Sequence, residues 1–390
     1  MPRSLTPLLA ALLVMYSVHQ MLTAVIAPLV RELALTAFQL SLVFTVTSVT
    51  ITVASVLWGL LFDAVGPRPV LFAGLVLCVA GPAGFAAAVA FGLDETLTPD
   101  LAFAFVLVFR SVLFGAGLAA VLVTALAVAG LSTHGETART RAMGFVGAAQ
   151  SLGTVIGPVV GGALAVASLW LPLYVAPVVA LALSLMVLVT MKPLAPQAGE
   201  PVQVQPLLLV PAFGTGFFLH LSLGMAQIFV VYLSTERLRE TTGSAEGVLF
   251  ASVIGLVLSQ GLLVPLLKWS PARLMRIGSP VSVAGYVLLA VAPSSALMTL
   301  AILVVAVGVG LALTGFAAAV SLGVGPRHQG LIAGLVTTTS GLTFVVAPTL
   351  GALLYEVEPI VPVLAAAVAA VVATGLSFVP VTPRVPRPVG

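Results

Sequence analysis

The sequence predicts an all-α integral membrane protein: twelve transmembrane helices in two pseudo-symmetric halves of six, with both termini cytoplasmic. Three observations carry this. First, of 390 residues 60% are hydrophobic and 7% charged, with a mean hydropathy of +1.23. Soluble domains have about 25% charged and 45–50% apolar residues. A water-soluble fold of this composition would expose large apolar patches, which sets aside soluble enzymes and nucleic-acid binders. Second, apolar runs long enough to cross a bilayer follow one another along the whole chain. Third, the second half repeats features of the first.

A membrane-crossing helix needs about 20 apolar residues. Read between charged, Pro and Gly breaks, the runs are 5–30, 38–62, 69–92, 100–130, 140–166, 169–191, 207–234, 246–268, 272–292, 295–323, 329–355 and 359–380. The first is too long for the apolar part of a signal peptide and reads as a retained helix. Residues 192–206 (KPLAPQAGEPVQVQP) form a Pro/Gln-rich cytoplasmic linker between an N-terminal half, 1–191, and a C-terminal half, 207–380. Residues 381–390 are a short cytoplasmic tail, too short for a soluble output domain.

Charge placement gives the direction. With the N-terminus inside, the inner segments carry Arg3, Arg68, Arg139, Arg141, Lys192, Lys268, Arg273, Arg276, Arg327, Arg384 and Arg387, and the outer loops only Arg31, Arg237 and Arg239. Basic residues concentrate on the cytoplasmic side of membrane proteins, so N-in, C-in follows.

The absences are also informative. Cys78 is the single cysteine, and no Asn occurs. Disulfides, a cysteine metal site and N-glycosylation are therefore not expected. Lys192 and Lys268, the only lysines, follow no glycine-rich phosphate loop, so no ATP site is expected. No cofactor or metal is implied. The spans contain no Ser/His/Asp grouping or paired carboxylates, which speaks against an enzyme.

The repeat shows in three registers. GLLFDAVGPRPV from Gly59 matches GLLVPLLKWSPA from Gly261, placing Pro69 on Pro271. The stretch from Gly144 matches the one from Gly334, placing Pro158 on Pro348 and Gly161 on Gly351. GAGLAA from Gly115 matches GVGLAL from Gly308. Duplicated halves of this kind enclose a substrate site near the bilayer midplane.

Two motifs carry chemistry. The loop after span 2 reads Gly59-x3-Asp63-x2-Gly66-x-Arg68. Its glycines permit a tight turn, and its acid is suited to the positive amino end of a neighbouring helix. Span 5 holds Gly144, Gly153, Gly157, Pro158, Gly161 and Gly162. Ala149, Gly153, Gly157 and Gly161 recur every four residues, a smooth ridge for close helix approach. Span 8 has a similar ridge, Gly247, Ala251, Gly255 and Ser259. The two ridges are expected to pack on each other, with Pro158 bending span 5.

With these motifs the chain resembles the major facilitator superfamily over essentially its whole length. The loop matches that superfamily's GxxxDxxGxR signature, and span 5 is similar to the fifth-helix signature of its drug:proton antiporter branch. The resemblance implies the superfamily fold, a gating role for Asp63 and Arg68, a monomer, and transport of a small molecule. The composition further suggests a bacterial protein, hence the bacterial inner membrane.

Ionisable side chains within the bilayer are costly and are functional candidates by default. The deep ones are His19, Arg110 and His220; no acid falls mid-span. His19 stands where the antiporters resembled here often carry an acid. Its imidazole, with an ordinary pKa of about 6.5, is the candidate proton carrier. His220, 201 residues on, is its candidate counterpart. Arg110 resembles the family's intramembrane arginine ahead of a Gly-rich segment. The family interval to that Gly is four residues, whereas Gly115 is five away, a change that turns an α-helical side chain by about 100°.

Polar residues mark a candidate cavity: Tyr16 and Gln20 on span 1, Ser48 and Thr52 on span 2, Gln150 and Thr154 on span 5, Gln227 and Tyr232 on span 7. On span 2 Thr45, Ser48, Thr52 and Ser55 form one stripe. The expected partners are a small-molecule substrate, protons and the lipid bilayer, with no nucleic acid. The leading expectation is proton-coupled efflux of small amphiphilic or drug-like compounds. A proton symporter or facilitator importing a small organic acid, and a transporter-like membrane sensor, stand as alternatives.

Overall fold

The computed structural model describes residues 4–33, 35–191, 206–238 and 242–380. Among these there is no strand, and the chain runs as twelve helices: α1 Leu5–Glu32, α2 Ala37–Val65, α3 Pro67–Leu93, α4 Pro99–Leu131, α5 Glu136–Ala167, α6 Leu171–Thr190, α7 Pro206–Leu238, α8 Thr242 through Leu267, α9 Pro271–Val291, α10 Ser295–Leu322, α11 Gln329–Tyr355 and α12 Val361–Ser377. Eleven are long and apolar enough to cross a membrane, and α12 is shorter. At 17 residues, α12 is at the lower limit for spanning. The all-helical, multi-pass reading of the sequence holds. The linker up to residue 205 and the 381–390 tail lie outside the described residues, as do Arg3, Lys192, Arg239, Arg384 and Arg387.

The helix ends follow from local chemistry. Thr36 and Gln39 form a reciprocal capping box at the start of α2. Gly66, with φ +87°, ends α2 in a conformation that L side chains avoid. Pro67 then opens α3, where its missing N–H is no loss. Gly59 departs from expectation: it lies inside α2, at a helix contact rather than in a turn. α9 and α10 are capped by the Ser270 and Ser294 side chains.

The described residues form two compact units. One collects those within Met1–Thr133, Phe145–Gln197 and Gln329–Val346; the other collects those within His134–Gly144, Ala198–His328 and Ala347–Gly390. Each unit thus contains a stretch from the other half of the sequence: the start of α11 in the first, the start of α5 in the second.

Within the first unit α3 packs on α4 at van der Waals limits. A Cβ on Gly74 would lie 2.5 Å from that of Ala120, and one on Gly117 would lie 2.8 Å from the Cys78 nitrogen. Within the second unit α9 meets α10 in the same way, with Gly278 against the Gly308 carbonyl. Arg68 donates to the Met191 carbonyl at 3.2 Å, just beyond α6. Arg276 donates to the Ser377 carbonyl at 3.4 Å, at the end of α12. Both arginines satisfy orphan carbonyls at a helix carboxyl terminus. Similar packing thus recurs in the two units, through Gly74 and Gly117 in one and Gly278 and Gly308 in the other, while Gly115 faces α2.

The small-residue ridges, in contrast, find other partners than the sequence suggested. On α5 a Cβ at Gly153, Gly157 or Gly161 would lie 2.7, 2.5 or 2.9 Å from the carbonyl oxygens of Leu13, Ser17 and Met21 of α1. Both series advance by four residues, so one ridge lies along the other. On α8, Gly255 faces Leu303 and Ala306 of α10, Ser259 meets Gly310, and nothing lies within 4 Å of a Cβ on Gly247. Of the motif glycines described, Gly144 alone has α8 as its nearest neighbour, at the Gln260 carbonyl and Val264. Glycine spacing states how closely a helix can be approached but not by which neighbour.

Candidate functional site

Within the first unit the sequence-predicted residues converge around Arg110. The residue is 1% exposed, in the middle of α4. Nη2 donates to Thr23 Oγ1 at 2.7 Å and to the His19 carbonyl at 3.4 Å. The Thr23 hydroxyl gives its own proton to the same His19 carbonyl at 2.8 Å. A hydroxyl has one proton to donate, so Thr23 is fixed as an acceptor toward Arg110. Nε and Nη1 are buried with no partner among the described residues. These two nitrogens carry three of the five guanidinium N–H groups.

His19 sits one helical turn before Thr23. Its Nδ1 lies 3.1 Å from Gln20 Oε1, and its Nε2 is buried with no partner among the described residues. The Gln20 amide can turn to accept from Nδ1–H or donate to bare Nδ1, so either tautomer fits. The Phe114 ring lies 5.8 Å from the imidazole and 5.9 Å from Arg110 Cζ, within reach of a cation–π contact. Tyr16 rests against Gln150 of α5, and Gln20 packs at Gly157. Thr154 turns its hydroxyl back to the Ser151 carbonyl.

Arg110 lies in a π-helical turn, Leu107–Leu113, within α4. A π turn inserts one residue by bonding each N–H to the carbonyl five residues back; here Phe114 N–H bonds Phe109 O. With that pattern residue i+5 occupies the place that i+4 takes in an α-helix. The five-residue interval from Arg110 to Gly115 is thereby absorbed, and the 100° rotation expected from the sequence does not follow. Room for the turn comes from α3, where Gly81 faces the Phe109 carbonyl at 2.9 Å and Gly84 faces its ring.

The Gly59–Arg68 motif builds a second arrangement in the same unit. Asp63 accepts the backbone N–H groups of Gly330 and Leu331 at 2.7 and 2.8 Å, at the amino end of α11. A carboxylate there satisfies orphan donors and faces the positive end of the helix dipole. The approach is possible because a Cβ on Gly59 would lie 2.5 Å from the Gly330 carbonyl. Further along, Gly334 abuts Ser55, Gly341 abuts Thr52, and Thr338 donates to the Thr52 carbonyl at 2.9 Å. The polar stripe of α2 is thus covered by α11 at Thr52 and Ser55; Thr45 is exposed, and Ser48 bonds its own helix. In Asp63→Asn only one amide oxygen remains to face two N–H donors. Charge-assisted hydrogen bonds contribute about 1.5–3 kcal/mol, so amide exchange at Gly330 and Leu331 is expected to accelerate at least about tenfold. Unchanged protection would contradict the cap.

The second unit holds the remaining candidates. His220 Nδ1 donates to the Gly216 carbonyl at 2.8 Å, which requires a proton on Nδ1. Gln227 donates to Ser252 Oγ at 2.8 Å, joining α7 to α8. Tyr232 is exposed, in a ring cluster with Phe229 and Tyr355 at 5.6–6.1 Å. Pro158 lies within α5 and is half-buried, and nothing lies within 4 Å of a Cβ on Gly162. Sequence reasoning missed Thr23, Phe114 and Gly330, and read Gly334 only as part of the repeat. Thr23 was detectable as the polar residue four positions after His19, and Gly330 and Gly334 by their own four-residue spacing.

The family model described as Major Facilitator Superfamily matches residues 8–348. No curated protein matches the chain. Solved structures do. The human organic anion transporter MFSD10 (TETRAN) is 16% identical, with 96% of this chain and 99% of that chain covered at a TM-score of 0.76. The E. coli fucose:proton symporter FucP is 16% identical, with 96% and 98% covered at 0.74. A bacterial homologue of the iron transporter ferroportin, in an outward-facing state, is 14% identical, with 96% and 98% covered at 0.77. At these identities the likeness is one of fold.

Proposed function

The chain belongs to the Major Facilitator Superfamily, and from that premise we propose that it is a proton-coupled secondary transporter of small amphiphilic compounds, working by alternating access in the bacterial inner membrane with both termini cytoplasmic. The observation that supports this best is the buried pair formed by His19 and Arg110. Each has a nitrogen without a partner among the described residues, and no carboxylate of the described residues is bonded to either. A proton on His19 adds a second positive charge beside Arg110. The groups around it are Gln20 and Thr23 on α1 and Arg110 and Phe114 on α4. None of these neutralises it, so the cost of that charge depends on what else is bound.

The sign of the coupling then follows from the substrate's charge. A cationic compound is repelled by the protonated pair and leaves in exchange for protons, the export mode that the span-5 resemblance favours. An anion bound at Arg110 lowers the cost of then protonating His19 and travels with the proton, the mode that the open donors of Arg110 favour. Asp63 on the amino end of α11 is the proposed cytoplasmic latch, released once per cycle.

Expression in an efflux-deficient bacterial host separates the modes across a panel of matched cationic, neutral and anionic compounds. Exchange lowers cellular accumulation of the compound; cotransport raises it. Equal accumulation of every compound with and without the protein would contradict the proposal.

A further inference from the structure

We infer that Arg110 binds the negative group of an amphiphilic organic monoanion, a carboxylate or similar oxyanion attached to an apolar body. This rests on the transport reading above and selects between its two couplings. Arg110 is 1% exposed, and Nη2 alone of its nitrogens has protein acceptors. The unpaired Nε and Nη1 are buried. A guanidinium taken out of water needs acceptors for its N–H groups and a compensating charge. Thr23 and the His19 carbonyl supply acceptors but no charge. The missing component is therefore an anion with oxygen acceptors, for which arginine is the fitting partner.

The charge number follows from the count of groups. Among the described residues Arg110 is the only Lys or Arg in the middle of a span of the first unit, so in the binding step that precedes protonation of His19 it balances a single negative charge. A dianion would leave one charge uncompensated in a low-dielectric site. The apolar body follows from the surroundings. Phe114 flanks both Arg110 and His19. The π turn that presents Arg110 needs Gly81 and Gly84 opposite Phe109, a local cost that generic helix packing does not require.

The test is binding by the full chain in lipid nanodiscs at fixed pH, read by thermal shift and calorimetry, with four probes of nearly the same body: benzoate, benzamide, benzylamine and phthalate. Benzoate is expected to bind at least about tenfold more tightly than benzamide or phthalate, since one charge-assisted hydrogen bond supplies that factor, and benzylamine is expected not to bind. Arg110→Gln is expected to remove the preference for benzoate, and Arg110→Lys to retain part of it. Arg110→Lys keeps the assay informative if Arg110→Gln folds poorly. Equal binding of benzoate and benzamide, no binding of benzoate, or an unchanged preference in Arg110→Gln would each overturn the inference and leave Arg110 a structural cation. The transport reading fails separately, through the accumulation assay.

Discussion

Arg110→Met is expected to lower transport by about 100-fold while leaving the melting temperature equal to or above that of the parent protein. The two effects have different origins. Transport loses charge-assisted hydrogen bonds to the substrate, about 1.5–3 kcal/mol each, and about 1.4 kcal/mol is a factor of ten. Stability behaves otherwise because the guanidinium is buried with three N–H groups unpaired among the described residues. Replacing a buried, poorly compensated ionic group by an apolar one of similar length is often neutral or stabilising by about 1–4 kcal/mol. Methionine fills most of the volume, so the cavity cost that alanine would bring is small. Thr23 keeps its bond to the His19 carbonyl, so α1 is not disturbed. Transport assays and thermal melting of the same purified sample check both halves. A fall in melting temperature parallel to the loss of transport would assign Arg110 to structure.

Gly157→Leu is expected to abolish folding, or to lower stability by more than about 3 kcal/mol, whereas Gly162→Leu is expected not to lower it and to raise it by up to about 1 kcal/mol. Both positions belong to the motif that resembles the drug:proton antiporter signature, yet the structure separates them. A Cβ at Gly157 would lie 2.5 Å from the Ser17 carbonyl, 2.6 Å from Gln20 Cβ and 2.9 Å from the Met21 nitrogen. Two of these are backbone atoms, so α1 as a whole would have to move. Overpacking costs about 1–3 kcal/mol even where side chains can yield. The displaced segment also holds His19 and Gln20, so any folded fraction would transport poorly. At Gly162 nothing lies within 4 Å of a Cβ and the residue is exposed. Leucine there has only its helix propensity to contribute, which favours it over glycine. Thermal melting in one detergent ranks the two, and equal losses would contradict the α1–α5 packing.

Periodicity and charge made the fold legible. Twelve apolar runs became twelve helices with ends mostly shifted by a few residues, because in a bilayer a long apolar run has few alternatives to a helix. The duplication was legible in outline, but its glycine register was not: Gly308 meets Gly278 and Ser282 of α9 as Gly117 meets Gly74 and Cys78 of α3, whereas Gly115 faces Thr47 and Thr50 of α2. The partners of the glycine ridges were not legible either. Gly153, Gly157 and Gly161 fit any neighbour that comes close, and the choice of α1 depends on tertiary arrangement. The π turn was legible only indirectly, as one extra residue between Arg110 and Gly115. At the site, His19 and Arg110 stood out because ionisable groups are rare in spans. Thr23 did not, because a hydroxyl in a helix more often bonds its own backbone, and Thr23 does that as well.

The claim that His19 carries the coupled proton is tested most directly by proton movement into proteoliposomes loaded with a pH-sensitive dye, driven by a gradient of benzenesulfonate. This monoanion stays ionised and does not cross lipid as a neutral acid. The wild-type protein is expected to move protons with the compound. His19→Ala is expected to move none above the protein-free background, while retaining benzenesulfonate binding through Arg110. Proton movement by His19→Ala at the wild-type rate and with the wild-type pH dependence would contradict the account.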